Sequence, residues 1–189
     1  MSLLTVFIIF ACICVDNMVT AQMSSAKMNK ENKTVFSVKL ALFFTGANVV
    51  FLGLGYLAGS IFFHNWAHVA PYWVAFAFLL LLGIKLMLES IEKSPSFGDG
   101  DIGSLRKLIK VSVLIGLNSF LAGYALETMA QGFFPEVILL LVTTFLMTLL
   151  GAHLGTNSET QPQKTLLSKR LELAAGVVLC VIAICLIII

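Results

Sequence analysis

The sequence predicts an all-α polytopic membrane protein with six transmembrane helices, arranged as two inverted three-helix repeats. Of its 189 residues, 59% are hydrophobic and 12% are charged, which is too few charges to cover a soluble domain. The apolar residues lie in long runs, and a helix of about 20 apolar residues crosses the hydrocarbon core with its backbone groups bonded to one another. The runs do not alternate apolar and polar residues, as the strands of a membrane barrel do.

Six apolar runs define the predicted helices and the division of the chain. The first run resembles a signal peptide, but it lacks a basic start and Asp16 interrupts it, so we expect it to stay in the protein. The glycine-containing segment 94–104 is predicted to be a cytoplasmic linker between a first repeat, 1–93, and a second, 105–189. The predicted helices cover residues 2–22, 36–60, 69–90, 105–127, 133–155 and 169–189.

Basic residues fall on one side of the predicted helices. Of the 12 Lys and Arg residues, all except Lys85 lie in or beside the segments that follow the first, third and fifth helices, and Lys85 lies near the same end of the third helix. The opposite side carries Glu127, Glu136 and two histidines, with no Lys or Arg. Because basic residues mark cytoplasmic loops, both termini are predicted to be extracytoplasmic, in a multi-pass protein of the cell (inner) membrane.

Short segments of the two halves can be aligned with each other. Residues 15–21 of the first helix align with residues 117–123 of the fourth, and residues 54–59 of the second align with residues 150–155 of the fifth. The third pair of helices is too plain to align. Halves of three helices must enter the membrane from opposite sides, because three is odd. Inverted repeats of this kind are common in transporters and place the substrate site near the midplane.

Asp16 is the strongest candidate for a functional side chain. A carboxylate inside a membrane helix costs about 2.5–3.5 kcal/mol on insertion scales, and such residues commonly bind ions or carry protons. The alternative is hydration near a membrane surface, because the predicted helix places Asp16 about 9 Å from its cytoplasmic end. We interpret Asp16 as a cation ligand or a proton carrier.

Further polar residues lie near Asp16 or in the middle of other predicted helices. Their carbonyl and hydroxyl oxygens could complete the shell of a hard cation such as magnesium, calcium or manganese. Hydrogen bonding between helices is the alternative, which we favour for the threonines, whereas both interpretations stay open for the asparagines of the second and fourth helices. The candidate metal ligands are Asp16, Asn48 and Asn118, with Asn17, Thr20, Ser119 and Thr144 as supporting ligands.

Lys85 and Glu89 lie four residues apart in the third predicted helix, a spacing that favours an ion pair on one helical face. We expect Lys85 to extend to the cytoplasmic surface rather than to contact a substrate. The sequence carries no nucleophile elbow, phosphate loop or zinc-protease motif, so an enzyme is not predicted. Neither a resident cofactor nor nucleic-acid binding is predicted, and the expected partners are the lipid bilayer and a small cation substrate.

Four short segments resemble one transporter family. Residues 15–18, 82–89, 117–120 and 151–155 are similar to the corresponding segments of the MntP-type manganese exporters, which belong to the LysE-type exporter superfamily. The resemblance covers nearly the whole chain. It implies six helices and manganese export, with acids in helices one, two and four along the path of the cation.

The chain departs from that pattern, as a divergent member would. Asp16 keeps the first acid, whereas Asn48 and Asn118 stand at the other two positions. Each asparagine keeps an oxygen ligand but removes a negative charge, so a divalent ion would face one carboxylate and bind more weakly. Two alternatives therefore stay open: export of a small organic solute such as an amino acid, and a non-transporting membrane scaffold or sensor.

Overall fold

A computed structural model describes residues 3–26, 33–65, 71–91, 105–127, 133–157 and 166–188, and all of these residues are α-helical. The prediction of an all-α protein with six helices is confirmed for them, while the predicted linker 94–104 lies outside the described residues. The helices are α1 (Leu3–Ala26), α2 (Lys33–Asn65), α3 (Pro71–Ile91), α4 (Leu105–Glu127), α5 (Phe133–Asn157) and α6 (Leu166–Ile188).

Five of these helices, α1 to α5, are long and apolar enough to cross a membrane, which makes the chain a multi-pass membrane protein. Helix α6 differs because Lys169, Arg170 and Glu172 lie within its first seven residues. Residues 173–188 of α6 contain no charged side chain. A sixth crossing by this stretch therefore stays a prediction.

Helix α1 is longer than predicted, and its length changes the depth of Asp16. The helix ends at Ala26 rather than at residue 22. Asp16 therefore lies about 15 Å from the end of the helix, at 1.5 Å per residue, instead of the expected 9 Å. The carboxylate is near the middle of the 24-residue helix, where hydration from a membrane surface explains it less well.

Helices α1 and α4 form the centre of the bundle. In the apolar stretch of each helix, 67% of α1 and 61% of α4 is buried inside the bundle. The buried share is 33% for α2, α3 and α5. The outer faces of those three helices carry exposed large apolar side chains, such as Leu57, Leu81 and Leu146, which suit contact with lipid. The two central helices are also one of the two helix pairs whose segments align in sequence.

The packing of the helices repeats between the two halves. Helix α1 packs mainly on α5, α2 packs mainly on α4, and α3 packs on α6. If α1, α2 and α3 are exchanged with α4, α5 and α6, the pair α1–α5 becomes the pair α4–α2. The pair α3–α6 is left unchanged. The weaker contacts of α3 with α4 and of α1 with α6 are exchanged in the same way.

Glycines make this correspondence visible at the level of residues. A methyl group on Gly55 would overlap the carbonyl oxygen of Phe120, and a methyl group on Gly151 would overlap that of Met18. In the sequence alignment of the two halves, Gly55 corresponds to Gly151 and Met18 corresponds to Phe120. Because small residues let membrane helices approach closely, each glycine seats the backbone of a central helix directly against its neighbour.

A third glycine pair relates α3 and α6, which the sequence comparison could not align. A side chain on Gly83 would meet Cys180 and the backbone of Gly176, and a side chain on Gly176 would meet Met87 and the backbone of Gly83. The contact is reciprocal, so it aligns residue 83 with residue 176 and residue 87 with residue 180. All three helix pairs therefore share one pattern of contacts.

Candidate functional site

Three helices meet at Asp16. The side-chain amide of Asn118, on α4, donates a hydrogen bond from Nδ2 to Oδ2 of Asp16 at 2.9 Å. The ammonium of Lys85, on α3, donates to Oδ1 of Asn118 at 2.8 Å and lies 3.7 Å from Oδ2 of Asp16. The three side chains form a closed group that joins α1 and α3 of the first half to α4 of the second.

The structure places Lys85 differently from the sequence prediction. The side chain of Lys85 remains 35% exposed, but its ammonium is not free at the surface as expected, because it bonds Asn118 and lies near Asp16. The predicted ion pair with Glu89 is confirmed, with Nζ and Oε1 3.3 Å apart. Lys85 therefore lies between two carboxylates, one on the neighbouring helix α1 and one a helical turn along α3.

The charge of Lys85 explains how the bundle tolerates Asp16. The side chain of Asp16 is only 14% exposed, and a buried charge without a partner is strongly destabilising. The ammonium and the amide of Asn118 together satisfy one carboxylate oxygen with a nearby charge and a hydrogen bond. Oδ2 of Asp16 and Oδ1 of Asn118, two oxygens that could bind a cation, both lie near the ammonium of Lys85.

Asn48 and Ser119 form a second polar pair. Both are fully buried, and the hydroxyl of Ser119 donates to Oδ1 of Asn48, which links α4 to α2. The Nδ2 group of Asn48 donates to the carbonyl of Phe44 at 2.8 Å. The candidate metal ligands therefore lie in two separate groups, Asp16 with Asn118 and Asn48 with Ser119, joined by the succession of residues 118 and 119 on α4.

The remaining supporting candidates have different surroundings. The hydroxyl of Thr144 bonds the thiol of Cys14 at 3.3 Å, which links α5 to α1 and fits the interpretation of the threonines as links between helices. Thr20 is buried, and its carbonyl accepts a bond from Ser24. Asn17 is fully buried, and neither its Oδ1 nor its Nδ2 has a hydrogen-bond partner.

The oxygen atoms near Asp16 are of the kind that a hydrated hard cation accepts as ligands. Within the described helices, no group of three or more His, Cys, Asp or Glu side chains could hold a metal ion. A cation at Asp16 would instead meet one carboxylate and amide oxygens, with water filling its other positions. Magnesium and manganese accept oxygen ligands of this kind, and magnesium retains several waters in protein sites.

A polar contact between α1 and α6 was not predicted from the sequence. The hydroxyl of Ser168 donates to Oε1 of Gln22 at 2.6 Å, and both residues are buried. Glu172, one turn along α6, is 1% exposed. The predicted sixth helix began at residue 169, which excluded Ser168 and placed Glu172 near a membrane surface. Because Glu172 lies close to the end of an apolar run, nothing in the sequence indicated that its side chain is buried.

Comparison with known proteins adds a family relationship. Residues 29–187 match the family model described as "Putative manganese efflux pump". The chain is similar to proteins named "Putative manganese efflux pump MntP" from Methanosarcina mazei, with 29% identity over 82% of each chain, and from Desulfitobacterium hafniense, with 30% identity over 73% of this chain and 69% of that relative. A protein of the same name from Saccharophagus degradans is 29% identical over 82% of each chain. No solved structure matches the chain.

Proposed function

Because this chain belongs to the MntP family of manganese efflux pumps, we propose that it exports manganese through a site centred on Asp16 in the middle of the bundle. The family is one of transporters rather than enzymes. The family match begins at residue 29, so the role of Asp16 is supported by its contacts rather than by the match.

The group formed by Asp16, Asn118 and Lys85 is the observation that supports the proposal. A carboxylate in the middle of a membrane helix marks an ion pathway in most membrane proteins that carry one. Here it bonds across the bundle to a helix of the other half. A substrate site between two halves is the arrangement that alternating access requires, because movement of one half against the other then opens the site to either side.

In the proposed cycle, Lys85 occupies the place of the substrate whenever the site is empty. An arriving divalent ion takes the carboxylate of Asp16 and Oδ1 of Asn118 and displaces the ammonium. Lys85 Nζ already lies 3.3 Å from Glu89 Oε1, so a short movement leaves it fully paired. Every charge then keeps a partner throughout, which the low dielectric of the bundle demands.

The other candidate ligands are proposed to act around this centre. Asn17 is one of them, since neither its Oδ1 nor its Nδ2 has a hydrogen-bond partner in the described part of the chain. Ser119, which follows Asn118 on α4, and its partner Asn48 on α2 offer the next oxygens, once the bond between them opens. Thr20 and Thr144 are proposed as more distant supporting oxygens, although the hydroxyl of Thr144 bonds Cys14 in the structure.

We further propose that the two halves form an inverted repeat, with both termini extracytoplasmic and the basic segments cytoplasmic, in the cell (inner) membrane. The reciprocal glycine contacts support the repeat. The distribution of Lys and Arg supports the orientation. Manganese would then enter the bundle from the side of the basic segments and leave on the side of Glu127 and Glu136.

Manganese flux in proteoliposomes tests the proposed function. We expect flux by the wild type and its loss, to less than a tenth, in Asp16→Asn, which keeps the size of the side chain and removes its charge. Glu159→Gln, in a segment outside the described helices, removes a charge elsewhere and serves as the matched control. Flux of wild-type size in Asp16→Asn would contradict the role of Asp16.

One observation favours a second candidate function, the export of an amino acid. Opposite charges on Lys85 and Asp16 lie 3.7 Å apart, and together they are complementary to the carboxylate and ammonium of a zwitterion. Uptake of labelled amino acids by the same proteoliposomes tests this candidate. Solute flux without manganese flux would favour it, and the absence of both would favour the scaffold or sensor.

A further inference from the structure

Glu136 is a buried carboxylate that the proposed site at Asp16 does not use. It lies in the first turn of α5, is 3% exposed, and has no hydrogen-bond partner at either carboxylate oxygen in the described part of the chain. An unpaired buried charge costs several kcal/mol, so the carboxyl group of Glu136 either keeps its proton or is neutralised by a cation. No cation of the described residues has been placed beside it.

Two polar side chains approach Glu136 from neighbouring helices. Glu127, the last residue of α4, lies close enough to Glu136 for the two carboxyl groups to interact electrostatically. The hydroxyl of Tyr56, on α2, bonds Glu127 and lies near Glu136 as well. Phe133 packs on the ring of Tyr56, with ring centroids 4.9 Å apart. Gly59 leaves room for Glu127, because a methyl group there would lie 3.0 Å from its Cγ. The packing of three helices therefore fixes this group.

The stretches of sequence around the two carboxylates contain no Lys or Arg that could neutralise them. Neither residue type occurs in residues 40–84 or 111–163, which include Tyr56, Glu127 and Glu136. The basic side chains of these stretches are histidines, and those of His64 and His68 lie outside the described side chains. Asp16 differs in this respect, because the chain itself provides an ammonium beside it.

We propose that Glu127 and Glu136, together with the hydroxyl of Tyr56, bind a hydrated divalent cation at the end of the bundle opposite the basic segments. Two carboxylates and one hydroxyl supply three hard oxygen ligands and two negative charges, and water completes the shell of an ion of the magnesium or manganese type. The inference rests on the proposed function in one respect: the bound ion is manganese that has left Asp16 and is about to leave the protein.

The two sites lie at different depths and can be filled at the same time. Glu136 lies three residues, or about 5 Å, inside the start of α5. Asp16 lies thirteen residues, or about 20 Å, inside the start of α1. Both helices start at the same end of the bundle, because an even number of helices separates their starts in an up-and-down chain. A second ion near the exit would also repel an ion at Asp16.

Binding of manganese to the purified full-length protein in detergent tests the inference. Equilibrium dialysis against Mn²⁺ counts the ions bound. We expect two ions for the wild type and for the control Glu159→Gln, and one ion each for Glu136→Gln and Asp16→Asn. Tyr56→Phe removes only a hydroxyl, so we expect this variant to bind both ions. We expect it to bind the ion at Glu127 and Glu136 about tenfold less tightly, equivalent to about 1.4 kcal/mol.

Two ions bound by both Glu136→Gln and Glu127→Gln would overturn the inference, and so would one ion bound by the wild type. If Glu136→Gln fails to fold, Glu127→Gln at the end of α4 replaces it as the test. Flux separates this result from the proposed function. A wild type that transports manganese but binds one ion has only the Asp16 site, whereas a wild type that binds two ions without transport keeps the second site and loses the proposed export.

Discussion

The ammonium of Lys85 lies 3.7 Å from the carboxylate of Asp16, although the two residues belong to helices that make few contacts with each other. Asn118 bridges them from a third helix. The candidate site for a cation is thus already occupied by a cation that belongs to the chain. A transported ion must compete with that ammonium, and this competition leads to measurable expectations.

Lys85→Gln is expected to increase the apparent affinity for manganese. The substitution removes the competing charge from Asp16 but keeps a side chain that can bond Asn118. Two charges 4 Å apart interact by about 4 kcal/mol near a protein surface, so a tenfold lower half-saturating concentration is a modest expectation. Concentration-dependent flux in proteoliposomes measures it, and Lys85→Arg, which keeps the charge, serves as the control. An increased half-saturating concentration in Lys85→Gln would show that Lys85 assists binding instead.

Asn118→Asp is expected to strengthen manganese binding. It adds a second carboxylate beside Asp16 and restores an acid of the kind that the family resemblance implies at this position. We expect about tenfold tighter binding, equivalent to about 1.4 kcal/mol, in the same flux assay. Asn118→Ser keeps an oxygen without adding charge and provides the comparison. If the substrate is a zwitterion, Asn118→Asp should not improve manganese transport at all.

Gly55→Ala and Gly151→Ala are expected to destabilise the protein to a similar degree. Each added methyl group overlaps a backbone carbonyl, of Phe120 in one case and of Met18 in the other. Overpacking of this kind costs about 1–3 kcal/mol. Thermal unfolding in detergent measures the loss. Gly46→Ala is the matched control, because no atom lies within 4 Å of the added methyl group and alanine is the better helix former.

Ser119→Ala is expected to lower stability by about 1–3 kcal/mol, because it leaves the buried Oδ1 of Asn48 without its donor. Thr143→Ala removes a hydroxyl that bonds only the carbonyl of Leu139 in its own helix, and should cost much less. The same unfolding assay compares the two variants. Equal losses would mean that the bond between Asn48 and Ser119 adds nothing to the association of α2 with α4.

The features that the sequence predicted well depend on the order of residues along one helix. Helix α4 covers residues 105–127, as its apolar run indicates. The alignment of residues 54–59 with 150–155 places small residues at corresponding positions, and the glycine contacts follow the same correspondence. Apolar length and small-residue spacing are properties of a single segment, so they can be found without knowledge of the neighbouring helices.

The position of Lys85 and the partner of Asn48 could not be predicted in the same way. Lys85 lies close enough to a predicted helix end to reach the surface, and only the placement of α1 and α4 around α3 offers it a nearer carboxylate. Asn48 was grouped with Asp16 because both are polar and lie mid-helix. Its side chain instead faces Ser119 on α4. The direction in which a side chain points depends on how the helices are rotated, which hydrophobicity does not encode.

The reciprocal glycine contacts bear on which way the resting protein faces. In the proposed inverted repeat, exchanging the conformations of the two halves converts a bundle open to one side into a bundle open to the other, and the same close contacts serve both forms. The free-energy difference between the two forms then arises only from positions where the halves differ. Asp16 against Asn118, and Lys85 against its counterpart Val178, are two of the charged examples. If the halves exchange conformations in this way, the side chains at which they differ, rather than the close contacts that they share, decide to which side the resting protein opens.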